Sequence, residues 1–243
     1  LPRAGAKKGL EFLKGRPEVW WLTWNVGPRK YETTFVTRGH REYRQLLNAL
    51  SAESGVHFRD PIVAFESEMR HWGLRFLADK PQREPPVYFK YPAESYELDA
   101  IDDKLLRFLR RASGMPVRDI ARGIGIAQST VTYRLERLRE REAISEDLFF
   151  CNDGHDFVQA QLVLNLKVRT REHEQAVVDI CARELYVEGL ITGLGTWDYK
   201  IILRADTVNR LLEIEESLLG AIGKNVARHS MFIRNRLMLS RTE

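Results

Sequence analysis

The chain has 243 residues, 44% hydrophobic and 30% charged, with a formal net charge of +4. That balance permits a buried core and excludes a disordered or low-complexity chain. No apolar run approaches the ~20 residues of a membrane-spanning helix, and residues 1–8 lack the apolar stretch of a secretory signal.

Residues 7–14 read as a helix. A β-prone run follows over 17–35, PEVWWLTWNVGPRKYETTF, broken by a glycine turn. Trp20, Trp21 and Trp24 within it read as sheet-face or interface residues. Residues 42–51 predict a second helix and 62–65 a short strand. This first segment, 1–79, ends at a stretch carrying Pro81, Pro85, Pro86 and Pro92, which stops helices and reads as an extended linker over 80–97.

Residues 98–145 read as three helices. The first, about 100–110, is capped by Asp99 and carries the apolar stripe Ile101, Leu105, Phe108 and Leu109. Ser113-Gly114 ends it, and Pro116 suits the start of a short second helix that buries Val117, Ile120 and Ala121. Gly123-Ile124-Gly125 is a tight turn. A third helix runs from after Ile126 to about Glu142, held by Val131, Leu135 and Leu138. A short helix, a glycine turn and a longer helix make a helix-turn-helix, whose second helix enters the major groove.

On a helical wheel Ser129, Thr132, Tyr133, Glu136 and Arg137 lie away from the buried stripe. The polar first turn, Gln128-Ser129-Thr130, suits base edges, and Arg134 and Arg137 suit phosphate or guanine. Between Ile101 and Ile144 ten basic residues stand against six acidic ones, an excess equal to the whole chain's +4. A positive footprint confined to one short segment is expected of a DNA-binding module. An ordinary three-helix bundle with a solvated outer face is the plainer alternative.

Residues 146–243 alternate strand and helix signals: a strand over 158–168, a helix over 172–184, strands over 190–194 and 199–205 around GLGTWD, a helix over 208–222 and a strand over 231–239. The order β-α-β-β-α-β is ferredoxin-like, with both helices on one face of an antiparallel sheet. The fold class is therefore α+β: a helix-turn-helix domain, winged or plain, followed by a ferredoxin-like domain. Residues 17–35 lie over 186–203 at a constant offset of 168, placing Val19 on Val187, Gly27 on Gly195 and Tyr31 on Tyr199. The first segment thus reads as a second copy of the C-terminal unit that lacks its first strand. The period predicts a further basic segment upstream of Leu1.

The segment LDAIDDKLLRFLRRASGMPVRDIARGIGIAQSTVTYRLERLREREAI, with its LD-x-ID opening, I-A-x-x-x-G-I turn and S-T-V-x-x-R-L helix, resembles the DNA-binding domain of the leucine-responsive/asparagine regulator family, Lrp/AsnC. The part that follows, with its TGLGTWDY turn, is similar to that family's effector-sensing domain. The resemblance covers about 145 residues. It implies a transcription regulator that contacts double-stranded DNA through Ser129, Thr130, Thr132, Tyr133, Arg134 and Arg137, with Gln128 opening the same turn. It also implies a site for an amino acid or related small molecule at Gly193, Gly195, Thr196, Trp197 and Asp198, and a homo-oligomer paired through its sensing sheets. Trp197 is bulky for such a turn, and the first copy places Pro28, Arg29 and Lys30 at the positions of Thr196, Trp197 and Asp198. Both turns closing hairpins and nothing more is the equal alternative.

Cys151 and Cys181 make neither a disulfide framework nor a metal spacing. They read as buried thiols in a reducing compartment, so the expectation is a cytoplasmic protein without metal or cofactor. Sirohaem decarboxylases share this build, which keeps an enzyme as an alternative. The six histidines are scattered, however, and no acid-base pair, nucleophile motif or phosphate loop appears. A third possibility is an interaction protein of the same fold that does not bind DNA.

Overall fold

The computed structural model describes residues 4–27, 29–55, 63–77, 86–90, 97–109, 114–141, 144 and 157–240. In chain order its elements are α1 (Ala4–Gly15), β1 (Val19–Val26), β2 (Tyr31–Phe35), α2 (His40–Ser54), β3 (Ala64–His71), β4 (Val87–Lys90), α3 (Ala100–Leu109), α4 (Val117–Ile124), α5 (Gln128–Glu140), β5 (Val158–Leu166), α6 (Arg171–Arg183), β6 (Val187–Gly195), β7 (Tyr199–Ala205), α7 (Val208–Ile222) and β8 (Val226–Ser240). They fall into two compact units: Leu1–Tyr88 with Asn152–Arg241, and Phe89–Cys151 with the last two residues. Pro28, Ser113, Cys151 and the linker prolines Pro81, Pro85 and Pro92 lie outside the described residues.

The last six elements form the ferredoxin-like arrangement, strand order β8-β5-β7-β6, with every pairing antiparallel. Alternation along β5 directs Ala160, Leu162 and Leu164 to one face, where they meet Val177 and Cys181 of α6 and Leu211, Ile214 and Leu218 of α7. Thr170 and Thr207 cap the two helices by accepting the backbone N–H of His173 and Arg210, which satisfies a donor each helix would otherwise leave open. The opposite face of the sheet is also covered: Gln159, Gln161, Lys200 and Arg204 are all buried.

The first segment provides that cover and extends the sheet at both ends, giving the order β2-β1-β8-β5-β7-β6-β3-β4. Its own small core packs Leu10, Leu13 and Leu50 of α1 and α2 on Val19 and Leu22 of β1. Two seams join it to the C-terminal unit, and they share a register over four successive pairs, diverging at a second bulge between Leu22 and Thr23 that only the β1–β8 seam has. In β3 against β6, Phe65, Glu66, Glu68 and Met69 face Leu194, Gly193, Thr192 and Ile191. Adding 168 to the first set and subtracting it from the second gives Ile233, Arg234, Arg236 and Leu237 against Val26, Asn25, Trp24 and Thr23, which are the observed partners in β8 against β1. Even the bulge falls at the same step. Gly27 and Gly195 occupy matching places with φ of +130° and +123°, a region glycine enters without steric penalty.

Two elements differ from expectation. The strand placed at 62–65 runs Ala64–His71, with Ile62 outside the described residues. Its polar composition hides it, because the partners that satisfy it come from elsewhere: Ser67 donates to the Thr192 carbonyl and Glu66 pairs with Lys200. Within the proline-rich stretch, Val87–Lys90 forms β4 beside β3.

Candidate nucleic-acid interface and ligand turn

The smaller unit owes its shape to a few side chains. Asp99 caps α3 by accepting the backbone N–H of Ile101 and Asp102, each at 2.9 Å. Asp102 itself is fully buried and accepts from Arg134 Nη1 at 3.0 Å, while the same guanidinium pairs with Asp99. Backbone donation from Asp102, then the contact with Arg134, holds the Asp99 carboxyl below the usual carboxylate range. The glycine turn has two separate causes. A Cβ at Gly123 would sit 2.4 Å from the Phe108 ring, and Gly125 is left-handed at φ +68° as it closes α4.

That turn delivers α5 with Val131, Leu135 and Leu138 inward, packed on Leu105, Ile120 and Ile124. Gln128, Ser129, Tyr133 and Glu136 face solvent, and Thr130, Thr132 and Arg137 are half-buried. Tyr133 is 58% exposed, unusual for a large ring. Thr132 donates its hydroxyl to the Gln128 carbonyl at 3.1 Å, which leaves the oxygen able to accept. Ala127 gives no side-chain cap, so the first-turn amides of α5 keep their capacity to bind an acceptor. The guanidinium of Arg134, expected at the DNA, is turned back to Asp99 and to Asp102 of α3, and with Asp102 it forms a packing pin. The LD-x-ID opening carried that signal, since it places Asp99 and Asp102 three residues apart on one face.

In the larger unit, the five residues expected at a ligand site share the β6–β7 turn. Trp197 is 5% exposed and fills the space above Gly193. Thr196 donates its hydroxyl to the Val63 carbonyl at 2.8 Å, across the seam with the first segment. Asp198 is committed to the backbone: Oδ2 accepts from Leu166 N–H, and its own N–H donates to Leu164. Arg169 donates to the Gly193 carbonyl, pairs with Glu174 and lies over the Tyr199 ring. Burial pushes the Tyr199 hydroxyl up to about 12.

Three charged groups nearby escaped the sequence reading. Lys200 is 5% exposed, with Nζ 2.6 Å from Glu32 and 2.9 Å from Glu66. Burial opposes its charge, but the two carboxylates outweigh that and raise it above the ordinary lysine range. Glu32 and Lys200 stand 168 apart, so the repeat itself held the clue.

The AsnC-type helix-turn-helix domain family matches residues 98–139. The HTH-type transcriptional regulator FL11 of Pyrococcus furiosus is 26% identical over 141 residues, 56% of this chain and 89% of that protein. Its Pyrococcus abyssi counterpart is 24% identical over the same shares. The chain therefore carries an AsnC-type helix-turn-helix domain and is similar over 56% of its length to HTH-type transcriptional regulators. An AsnC family transcriptional regulator from Agrobacterium tumefaciens shares the fold, with a TM-score of 0.51 and 16% identity, covering 60% of this chain and 95% of that one. Among the described residues, no helix is long and apolar enough to cross a membrane.

Proposed function

We propose that this regulator reads duplex DNA with the exposed side of α5. Gln128, Ser129 and Thr130 approach base edges, Thr132, Tyr133 and Arg137 flank them, and Arg134 positions the helix from behind. The observation that carries this reading is an apolar stripe that fixes α5 while a hydroxyl, amide and tyrosine face stays open, with Tyr133 58% exposed. The domain limits follow from it: 98–145 for DNA, 146–243 for sensing, 1–79 as a partial second sensing copy and 80–97 as the connection. The chain acts in the cytoplasm, as a regulator and not as an enzyme.

The proposal extends to assembly and control. The register that the two seams share over four successive pairs supports reading 1–79 and 146–243 as copies paired within one chain. Further chains associate, because one helix-turn-helix reads a single half-site. An amino-acid effector acts at Gly193–Asp198, where the turn meets the other copy through Val63, and couples that seam to DNA affinity.

Fluorescence anisotropy of a labelled operator-length duplex tests the DNA reading. Binding weakens steeply with salt, and Ser129→Ala with Tyr133→Ala reduces the preference for specific over random duplex by roughly tenfold, about the ~1–3 kcal/mol of one good base contact. Salt-independent binding, or unchanged preference in the variant, refutes it. Calorimetry with free amino acids tests the effector; heat from none of them refutes that part.

A further inference from the structure

The registers of the two seams make positions 168 apart equivalent. Under that relation Glu32 corresponds to Lys200, and Glu66 corresponds to Arg234. Lys200 on β7 meets Glu32 on β2 and Glu66 on β3 in the buried space between the copies, at 2.6 and 2.9 Å. Glu32 therefore faces its own counterpart. The second copy brings Lys200 to this centre, and the first brings Glu32 and Glu66; Arg234, the counterpart of Glu66, lies over the Trp21 ring of the first copy.

We infer that this buried charge set dictates which sensing copies can pair: the first with the second, and neither with its own kind. The inference rests on reading the two halves as copies. If two second copies met in the same register, Lys200 would face Lys200 and Arg234 of the other chain. If two first copies met, Glu32 would face Glu32 and Glu66. Either like-charge meeting would lie largely out of solvent, at side chains of 7 to 20% exposure for Lys200, Glu32 and Glu66, where an unpaired ion is disfavoured. Lys200 also lies over the Trp197 ring at 4.9 Å, so the lysine that selects the partner touches the ligand turn. The partner that fits this face is the first copy, and additional chains must join through other surfaces. Discrimination of this kind comes from the cost imposed on the wrong pair as much as from the gain in the right one.

The experiment uses the full chain with Cys151→Ser, Phe65→Cys and Leu194→Cys. Phe65 and Leu194 are strand partners on one seam and are 59% and 54% exposed. After mild oxidation, non-reducing electrophoresis reports whether the link lies within one chain or joins two. With native charges, the link forms within one chain at every protein concentration. Glu32→Lys with Glu66→Arg makes the centre wholly cationic and reduces the intrachain link by roughly tenfold or more. Adding Lys200→Glu and Arg234→Glu exchanges the charges completely and restores most of it. Restoration also separates charge selection from a general folding defect. Three results overturn the inference: an undiminished link in the cationic variant, no restoration on full exchange, or native chains linked mainly to each other. The first two leave the paired-copy reading intact, and the third removes it as well. The assay does not touch DNA binding.

Discussion

Replacing Gly193 with alanine perturbs the β6–β7 turn at one identifiable point. The added Cβ would lie 2.2, 2.5 and 2.8 Å from Cζ3, Cε3 and Cη2 of Trp197, against a normal carbon contact of about 3.5–4.0 Å. The ring must move by more than ~1 Å, and it has no free direction, because Val163, Ile191 and Phe232 pack it and Lys200 covers it. Overpacking of this sort costs about 1–3 kcal/mol. Gly193 is not among the glycines of positive φ, so the backbone adds nothing of its own.

The cost should therefore depend on the ring and disappear when the ring is reduced. Trp197→Leu alone loses roughly 3 kcal/mol through lost burial and a residual cavity. In that background Gly193→Ala costs close to nothing, so the double variant is about 1–3 kcal/mol more stable than the sum of the singles. Urea denaturation followed by far-UV circular dichroism gives all four values. Gly195→Ala is the control. Its φ is +123° and its Cβ would meet the Val63 carbonyl at 3.0 Å, so its penalty persists with either residue at 197. Equal costs for Gly193→Ala in both backgrounds would refute the assignment to the ring.

Other outcomes follow from single contacts. Burial pushes Glu188 up, but His71, Arg204 and Gln159 outweigh it, and its carboxyl ends below the usual carboxylate range. A lowered pKa stabilises above the unfolded value of about 4.3 and is lost as pH falls through the folded one. Thermal melts of the native chain should thus drop with acid more steeply than those of Glu188→Gln. Arg75 donates to the carbonyls of Cys181, Ala182 and Glu184 at the end of α6 and of Val187 at the start of β6, so Arg75→Ala should cost about 1.5–3 kcal/mol and speed hydrogen exchange in the last turn of α6 first. Burial pushes the Cys181 thiol up to about 12, and a thiol reagent at neutral pH should modify it only as fast as the unit opens.

The helix-turn-helix was legible because its determinants are local. Apolar spacing, an aspartate cap and two glycines each act within a few residues, and the structure places Leu105, Ile120, Val131, Leu135 and Leu138 in one core. The ferredoxin-like order was legible for the same reason, through alternation in β5 and the apolar spacing of α6 and α7. What stayed hidden depends on long-range partners. Arg134 looked like a phosphate ligand until Asp102, 32 residues away, turned it inward. Nothing local marks Lys200 as buried; Glu32 and Glu66, 168 and 134 residues away, close over it. A charged side chain is read as exposed by default, and only the tertiary fold reveals the partner that lets it be buried.

The edge of β3 shows how strongly an unsatisfied sheet recruits neighbours. In the second copy, the equivalent strand β8 lies between β1 and β5. In the first copy β3 has β6 on one side, but no strand of that copy within the described residues corresponds to β5 on the other. An open edge presents a row of free N–H and C=O groups that will accept any extended chain. Val87–Lys90 occupies that side as β4. Prolines around it keep it from becoming helical and so leave it extended. The same composition that read as a connection therefore supplies the strand, because the demand for pairing comes from β3. The β-propensity of VYFK, flanked by prolines on both sides, is sufficient to meet it.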